Sequence, residues 1–264
     1  MKRSVLIEEL SWPEFAARIA QDDVIILPVG STEEHGPHAP LGTDYLIAAA
    51  LAKGIGEKAK ALVAPAIPIG NAEGLLDFPG TISIDPAVLQ ELVFEVCENY
   101  LRHGARRFLV VNGHGGNNAA IRQAAWDLQQ RYGVFVASSE WWQVMPVISE
   151  YQAHDHGGKF ETSMMMAIDE DTVDLSKADT VQMKQLTTGI SFDYGYFFKG
   201  AAVSINLPTF AIAPNGNFGD RSEEARKDIG EGMFAVYTDY GAEMVREMRK
   251  IPLPGNPTPQ GGVV

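Results

Sequence analysis

The feature that most constrains this chain is a run with no polar interruption, Val24-Ile25-Ile26-Leu27-Pro28-Val29, that stops at Gly30. A strand with one wet face alternates apolar and polar residues. A run that is apolar throughout reads as a strand buried on both faces, as in a parallel sheet covered by helices. Arg107–Asn112 (RFLVVN) repeats the pattern and also ends at a glycine, Gly113.

The segments around these runs read as the expected partners. Ser11-Trp12-Pro13-Glu14 predicts a helix to about Gln21, with Ser11 as N-cap and Pro13 in the first turn. Thr43 or Asp44 caps an Ala- and Leu-rich helix to about Lys58. Leu62–Ile69 reads as a second strand, which Pro65 and Pro68 restrict to an edge or a strand end. Asp85-Pro86 opens an amphipathic helix to about His103, and a further helix reaches about Tyr132. Val134–Ser138 is the fourth strand, and Phe160–Ile168 and Ser222–Met248 read as helices. Strands alternating with helices give an α/β class with a parallel sheet and helices on both faces.

At 264 residues the chain suits one large domain, residues 1–251, followed by a Pro/Gly-rich tail, 252–264, expected to be extended or disordered. Apolar residues at 45% and charged residues at 21% supply a globular core. The net charge of -13, with no basic run, argues against nucleic acid or an anionic membrane as partner. No apolar stretch reaches the roughly 18 residues that span a bilayer, and the N-terminus lacks the apolar stretch of a signal peptide. The lone Cys97 cannot form an internal disulfide and reads as a buried structural thiol, which fits a cytoplasmic protein.

In parallel sheets ligands bind beyond the carboxyl ends of the strands. Two loops at those ends hold the unusual residues. In Gly30-Ser31-Thr32-Glu33-Glu34-His35, alternation along an extended segment projects Glu33 and His35 together and turns Glu34 elsewhere. With Asp44 nearby, this is half of a metal site. Mixed nitrogen and oxygen donors suit Zn²⁺, Mn²⁺ or Fe²⁺ better than Ca²⁺. A solvated polar loop with a structural histidine is the competing reading. In the second loop, Gly113, Gly115 and Gly116 leave the backbone bare around His114, so an ion or substrate can approach closely. Phosphate cradling is the rival there, but neither nucleotide-binding glycine pattern fits.

A third stretch, His154-Asp155-His156-Gly157-Gly158-Lys159-Phe160-Glu161, precedes an apolar helix. Its acids could simply favour a helix N-terminus. In the functional reading His156 faces the metals as acid/base and Glu161 completes the metal shell. No G-x-S-x-G elbow occurs, so a serine hydrolase has no candidate nucleophile.

Together GSTEEHGPHAPLGTD, NGHGGN and HGGKFETSMM resemble the creatininase (creatinine amidohydrolase) family, over about Leu27 to Asp220. The resemblance implies a three-layer α/β/α sandwich with a central, mostly parallel sheet. It also implies a binuclear centre of Zn²⁺ and/or Mn²⁺, a homo-oligomer (a hexamer), and hydrolysis of C–N bonds of cyclic or related amides by metal-activated water. It makes Glu33, His35, Asp44 and His114 metal ligands, with Asp44 bridging, makes His156 the proton-handling residue and puts Glu161 at the site.

Two departures stand out. In creatininase proper a second carboxylate ligand follows the loop histidine by two positions, where this chain has Gly116; Glu161 is the candidate replacement. A tryptophan four residues before the catalytic histidine is replaced by Gln152, which argues against creatinine itself as substrate. Trp141 and Trp142 are candidates for an aromatic wall, and Gln152, Asn117, Gly115 and Gly116 for substrate contacts. Two alternatives stay open: a ring-opening C–C hydrolase of a cyclic polyol ketone such as a dehydro-inosose, and a catalytically silent, metal-stabilised oligomer.

Overall fold

A computed structural model describes residues 4–179, 183–184, 186–192 and 196–253. Its centre is a four-stranded parallel sheet in the order β2-β1-β3-β4. These strands are β1 (Val24–Val29), β2 (Leu62–Val63), β3 (Arg107–Asn112) and β4 (Phe135–Glu140). All six residues of β1 are buried, as a strand covered on both faces requires.

Side-chain alternation divides the core in two. Val24 and Ile26 of β1, with Leu109 and Val111 of β3, join the core under α2 (Thr43–Ala59), α6 (Lys159–Asp169) and α8 (Lys227–Met248). Ile25, Leu27 and Val29, with Phe108 and Val110, join the opposite core under α3 (Pro86–Arg102) and α4 (Asn118–Tyr132), which also buries Cys97. Helices, sheet and helices thus make the three-layer sandwich expected from the sequence.

Register matters most for function. Val29 lies opposite Asn112, and Asn112 opposite Glu140, so the chain leaves β1, β3 and β4 side by side at one end of the sheet.

Several boundaries differ from expectation, each for a local reason. Helix α1 (Trp12–Ile19) starts as expected, with Glu14 accepting from the backbone N–H and the hydroxyl of Ser11. Helix α2 is capped by Gly42, not by Thr43 or Asp44; the Thr43 hydroxyl donates to the Pro40 carbonyl. Strand β2 is only two residues long, because Pro65 interrupts the run; Ile67 returns to touch Val29 as an isolated bridge. Helix α8 begins at Lys227 rather than Ser222, since Ala225 and Arg226 are extended after a short 3-10 turn.

Several of the described elements have no counterpart in the sequence reading. Helix α5 (Trp141–Ile148) follows β4 directly despite Pro146 inside it. A small antiparallel sheet of β5 (Ile190–Phe192), β6 (Tyr196–Phe198) and β7 (Ala201–Val203) precedes the short α7 (Thr209–Ile212). Three-residue strands are too short for a period to show. The expected tail lies, beyond Leu253, outside the described residues. Among the described residues no helix is long and apolar enough to cross a membrane.

Candidate metal centre

The loops after β1 and β3 are built against the first turn of α2. A Cβ on Gly30 would stand 2.4 Å from the Tyr45 Cα, and one on Gly113 would stand 2.2 Å from the Asp44 carbonyl oxygen. Both strand ends must therefore be glycine for the helix to come this close. That contact sets Asp44, almost fully buried, at the mouth of the sheet.

Asn117 ties the loops together. Its side chain donates to the Gly30 carbonyl at 3.0 Å and accepts from the Asn71 N–H at 3.0 Å. The fourth segment arrives through Gly157, whose φ of 57° is left-handed. A Cβ there would lie 2.8 Å from the His35 backbone, so glycine is needed both for conformation and for space. It brings Glu161, in the first turn of α6, against His35.

The carboxylates and imidazoles converge. His35 Nε2 lies 3.0 Å from Asp44 Oδ1 and 3.5 Å from Glu161 Oε2. His114 Nδ1 lies 3.0 Å from Glu33 Oε1 and 3.1 Å from Asp44 Oδ2. Two donor triads result, Glu33/Asp44/His114 and His35/Asp44/Glu161, each with its ligand atoms within 4.8 Å of one another. Asp44 belongs to both, one oxygen to each. A third grouping, Glu33/His35/His156, overlaps them.

The hydrogen bonds behind these imidazoles show what the centre is built to hold. His35 Nδ1–H donates to the Glu33 carbonyl at 3.2 Å, and His114 Nε2–H donates to the Asn71 carbonyl at 2.8 Å. With each proton held on the far nitrogen, the near nitrogen presents a lone pair to carboxylate oxygens. Lone pair facing anion is repulsive unless a cation sits between them. Both oxygens of the fully buried Glu33, and Oδ2 of Asp44, accept no hydrogen bond. Buried unpaired carboxylate oxygens are costly. Ligands at about 2.0–2.2 Å from one ion stand about 2.8–3.6 Å from each other at angles between about 90° and tetrahedral, which spans the separations found. The donor set therefore fits divalent cations.

Protonation tells the same story for the metal-free chain. Burial opposes charge on His35, yet the carboxylates of Asp44, Glu161 and Glu33 outweigh it and hold the imidazole well above its ordinary 6.5. His114 is raised in the same way, burial being overcome by Glu33 and Asp44. Asp44 is lowered: the two imidazoles prevail over its burial. Protons stand where cations would.

His156 lies beside the triads. Its ring is stacked on Phe218, centroids 5.0 Å apart, and lies 4.4 Å from the ring of His35. Its Nδ1 is 4.0 Å from Glu33 Oε1 and its Nε2 3.1 Å from Glu34 Oε1. Asp155 has a different role: its carboxylate accepts from the N–H groups of Phe160 and Glu161, which caps α6. The helix-terminus reading thus describes Asp155, whereas Glu161 turns into the centre.

A cavity of about 200 Å³ opens over the triads, with Trp142, Gly115 and Gly116 in its wall. Trp141, Asn117 and Gln152 are not in that wall. Trp141 is core, Asn117 is spent on the loops, and Gln152 is exposed. Sequence reasoning missed Leu75, Thr209 and Phe218 in the lining, and missed Glu34, which it turned away from the site. Glu34 belongs to none of the donor groupings, but its Oε1 lies 3.1 Å from His156 Nε2. Gly116 explains a departure from the family pattern: a Cβ there would lie 2.1 Å from the Asn71 carbonyl oxygen and 2.5 Å from His114 Nε2. No side chain fits at that position, and the carboxylate of Glu161 stands beside His35, at 3.5 Å.

Comparison with known proteins agrees with this geometry. The family model for creatinine amidohydrolase (creatininase) matches residues 8–245. The chain belongs to the creatininase family. This creatininase-family chain is 36% identical to the creatinine amidohydrolase of Pseudomonas putida over 201 residues, 67% of the chain and 76% of that protein. It is 37% identical to the mycofactocin precursor peptide peptidase of Mycolicibacterium smegmatis, over 57% of the chain and 60% of that protein. It is 27% identical to the 3-dehydro-scyllo-inosose hydrolase of Thermotoga maritima, over 64% of the chain and 54% of that protein. Among solved structures, a manganese creatininase superposes with a TM-score of 0.76 at 29% identity, covering 93% of this chain and 98% of the other. A mutant creatininase of the Zn–Zn type gives 0.77 at 28% identity, with the same coverage.

Proposed function

We propose that this creatininase-family protein is a metal-dependent hydrolase that cleaves a C–N bond of a cyclic amide or related small molecule at a pair of divalent ions, Zn²⁺ and/or Mn²⁺ (Fe²⁺ also suits the donors). One observation carries the reading: the two oxygens of Asp44 face two different histidines, Oδ1 toward His35 and Oδ2 toward His114. A carboxylate so divided is what two adjacent cations share.

Glu33, Asp44 and His114 would hold one ion, and His35, Asp44 and Glu161 the other. Bound there, such ions lower the pKa of water towards neutrality and polarise a carbonyl. The protein's own side chains do the rest. His156, with Nδ1 4.0 Å from Glu33 Oε1, is placed to give a proton to the leaving nitrogen, which is a poor leaving group without one. Trp142, Leu75 and Phe218 narrow the cavity, and about 200 Å³ suits a small ring or one residue of a chain rather than a folded partner. Trp142 stands over Gly115, its Cζ2 3.9 Å from where a Cβ would be, so a bare backbone and an indole bound the space for substrate.

The similarity to an inosose hydrolase supports a second reading, ring opening of a cyclic polyol ketone by C–C cleavage. The third, a silent metal-stabilised oligomer, conflicts with a donor set that opens into a cavity; structural metal sites are closed by their ligands. We also propose a cytoplasmic homohexamer, with one domain through residue 251 and no nucleic-acid or membrane partner; light scattering tests the assembly. The deciding experiment is a turnover panel of lactams, cyclic ureides including creatinine, short peptides and cyclic polyol ketones, run metal-depleted and with Zn²⁺ or Mn²⁺ restored. Turnover of a C–N substrate that a chelator abolishes and metal restores supports the reading. Turnover confined to the polyol ketones transfers it to the second.

A further inference from the structure

His156 is held on four sides, and three of the contacts fix its plane without fixing which way round the ring lies. Phe218 stacks on one face, with an interplanar angle of 22°, and His35 lies 4.4 Å away at 32°. The backbone is pinned by a pair of hydrogen bonds to Phe218, 2.9 Å from the His156 N–H to the Phe218 carbonyl and 2.8 Å in return. What remains free is a half-turn of the ring within its slot, and with it the choice of the nitrogen that faces the metal donors.

The fourth contact removes that freedom. Glu34 Oε1 lies 3.1 Å from His156 Nε2. The other oxygen, Oε2, accepts from the Gly36 N–H at 2.9 Å, and the Glu34 N–H donates to Thr81 Oγ1 at 3.0 Å. Gly216 closes the slot from above: its φ is 92°, and a Cβ there would fall 1.8 Å from Glu34 Oε2. The carboxylate is held at both oxygens, and a side chain at 216 would collide with it. It is buried, clamped at one oxygen and aimed at an imidazole with the other.

We propose that Glu34 is a positioning residue for the reaction: it holds the His156 ring with the proton on Nε2, so that Nδ1 is the nitrogen presented to the metal centre and the substrate. An ionised carboxylate only accepts hydrogen bonds, so the nitrogen facing it must carry the proton. The neutral ring then has its lone pair at Nδ1, on the side of Glu33, where a proton can be taken up and passed to a leaving group. A carboxylate behind a proton-carrying histidine fixes both tautomer and orientation, and the imidazole loses its function when the wrong tautomer is imposed. The role assigned to His156 rests on the proposed hydrolase reading; the geometry of the pair does not.

The isosteric variant Glu34→Gln makes the idea testable. The Gly36 N–H requires an acceptor, so the amide oxygen takes the place of Oε2. The NH₂ group then faces His156 Nε2, where it can only donate, and the ring proton must move to Nδ1. The measurement is solid-state ¹⁵N NMR of zinc-loaded protein labelled at histidine, which separates protonated from unprotonated ring nitrogens whatever the size of the assembly. Resonances are assigned to His156 by their loss in His156→Ala, and metal content is measured on every sample. The expected result is a protonated Nε2 in the parent and an unprotonated Nε2 in Glu34→Gln, with zinc per chain unchanged. On the best substrate of the panel, kcat of that variant should fall about 10- to 100-fold with KM little changed.

A parent His156 with a bare Nε2 overturns the proposal, and this arm needs no variant to fold. A folded Glu34→Gln that keeps its proton on Nε2 overturns it as well. Neither result touches the metal triads. A parent that shows the expected nitrogen pattern but hydrolyses no C–N substrate would leave the positioning intact and remove the hydrolase reading instead.

Discussion

Gly113 and Asp44 are in backbone contact: a single methyl added at 113 would stand 2.2 Å from the Asp44 carbonyl oxygen. The end of β3 thereby sets the height of the helix turn that carries the shared carboxylate. Gly113→Ala should lower stability by about 1–3 kcal/mol, the usual cost of overpacking, and should also weaken metal binding because Asp44 is displaced. Gly74→Ala is the control, since the nearest atom to its Cβ would be Thr209 Oγ1 at 3.9 Å. Urea denaturation and metal titration of both variants check this. A Gly113→Ala protein with parental midpoint and affinity would show that the contact does not position Asp44.

His156→Ala separates proton transfer from metal binding. Its Nδ1 is 4.0 Å from Glu33 Oε1, beside the triads. Loss of a general acid typically costs about 10²- to 10⁴-fold in rate. The expected outcome is therefore a severely lowered kcat with metal content near the parental value. If zinc is lost along with activity, His156 is a ligand in the third grouping, Glu33/His35/His156.

The metal-free chain should have an inverted pH response. His35 and His114 are both raised well above the ordinary 6.5 in the folded state, because nearby carboxylates outweigh burial. A folded state that binds more protons than the unfolded one loses stability as pH rises. The contribution of this pair is complete below about 6.5, the value in the unfolded chain, and disappears as pH climbs through the raised values. Asp155 and Glu161, raised by burial, act in the same direction, since their folded forms also retain protons to higher pH. Thermal melts of chelator-treated protein should thus show a falling Tm above pH 6.5. Saturating Zn²⁺ should remove the fall, because cations replace the protons. A chelator-treated protein whose Tm rises over this range would contradict the assignment of these charges.

The sheet was legible because its strands carry their own signature. VIILPV and RFLVVN occupy β1 and β3 to the residue, since a strand buried on both faces can hold almost nothing but apolar side chains. The convergence of Glu33, His35, Asp44, His114 and Glu161 was legible too, but through three motifs taken together rather than through any spacing. Glu161 is 117 residues from Asp44 in the chain and meets it only because Gly157 lets the backbone pass over His35. What stayed hidden shares one cause. Glu34 sits where strand alternation turns it outward, yet the loop after β1 has left the sheet, and tertiary packing brings His156 round to it. Phe218 joins the cavity through an isolated bridge to His156, a pairing of single residues that no periodic pattern announces. Asn117 and Trp141, expected as substrate contacts, stand outside the cavity wall. Asn117 stitches the loops after β1 and β3 together through the Gly30 carbonyl, and Trp141 fills the core under α8; neither use of a polar or aromatic side chain can be distinguished from substrate contact by type alone.

Metal content per chain, measured by mass spectrometry on parent, Asp44→Ala and Glu161→Gln after dialysis against limiting Zn²⁺, addresses the shared carboxylate directly. The expected series is two ions in the parent, near one in Glu161→Gln, and close to none in Asp44→Ala, because only Asp44 belongs to both triads. An Asp44→Ala protein that is folded and still holds two ions would show that the cations do not meet at Asp44.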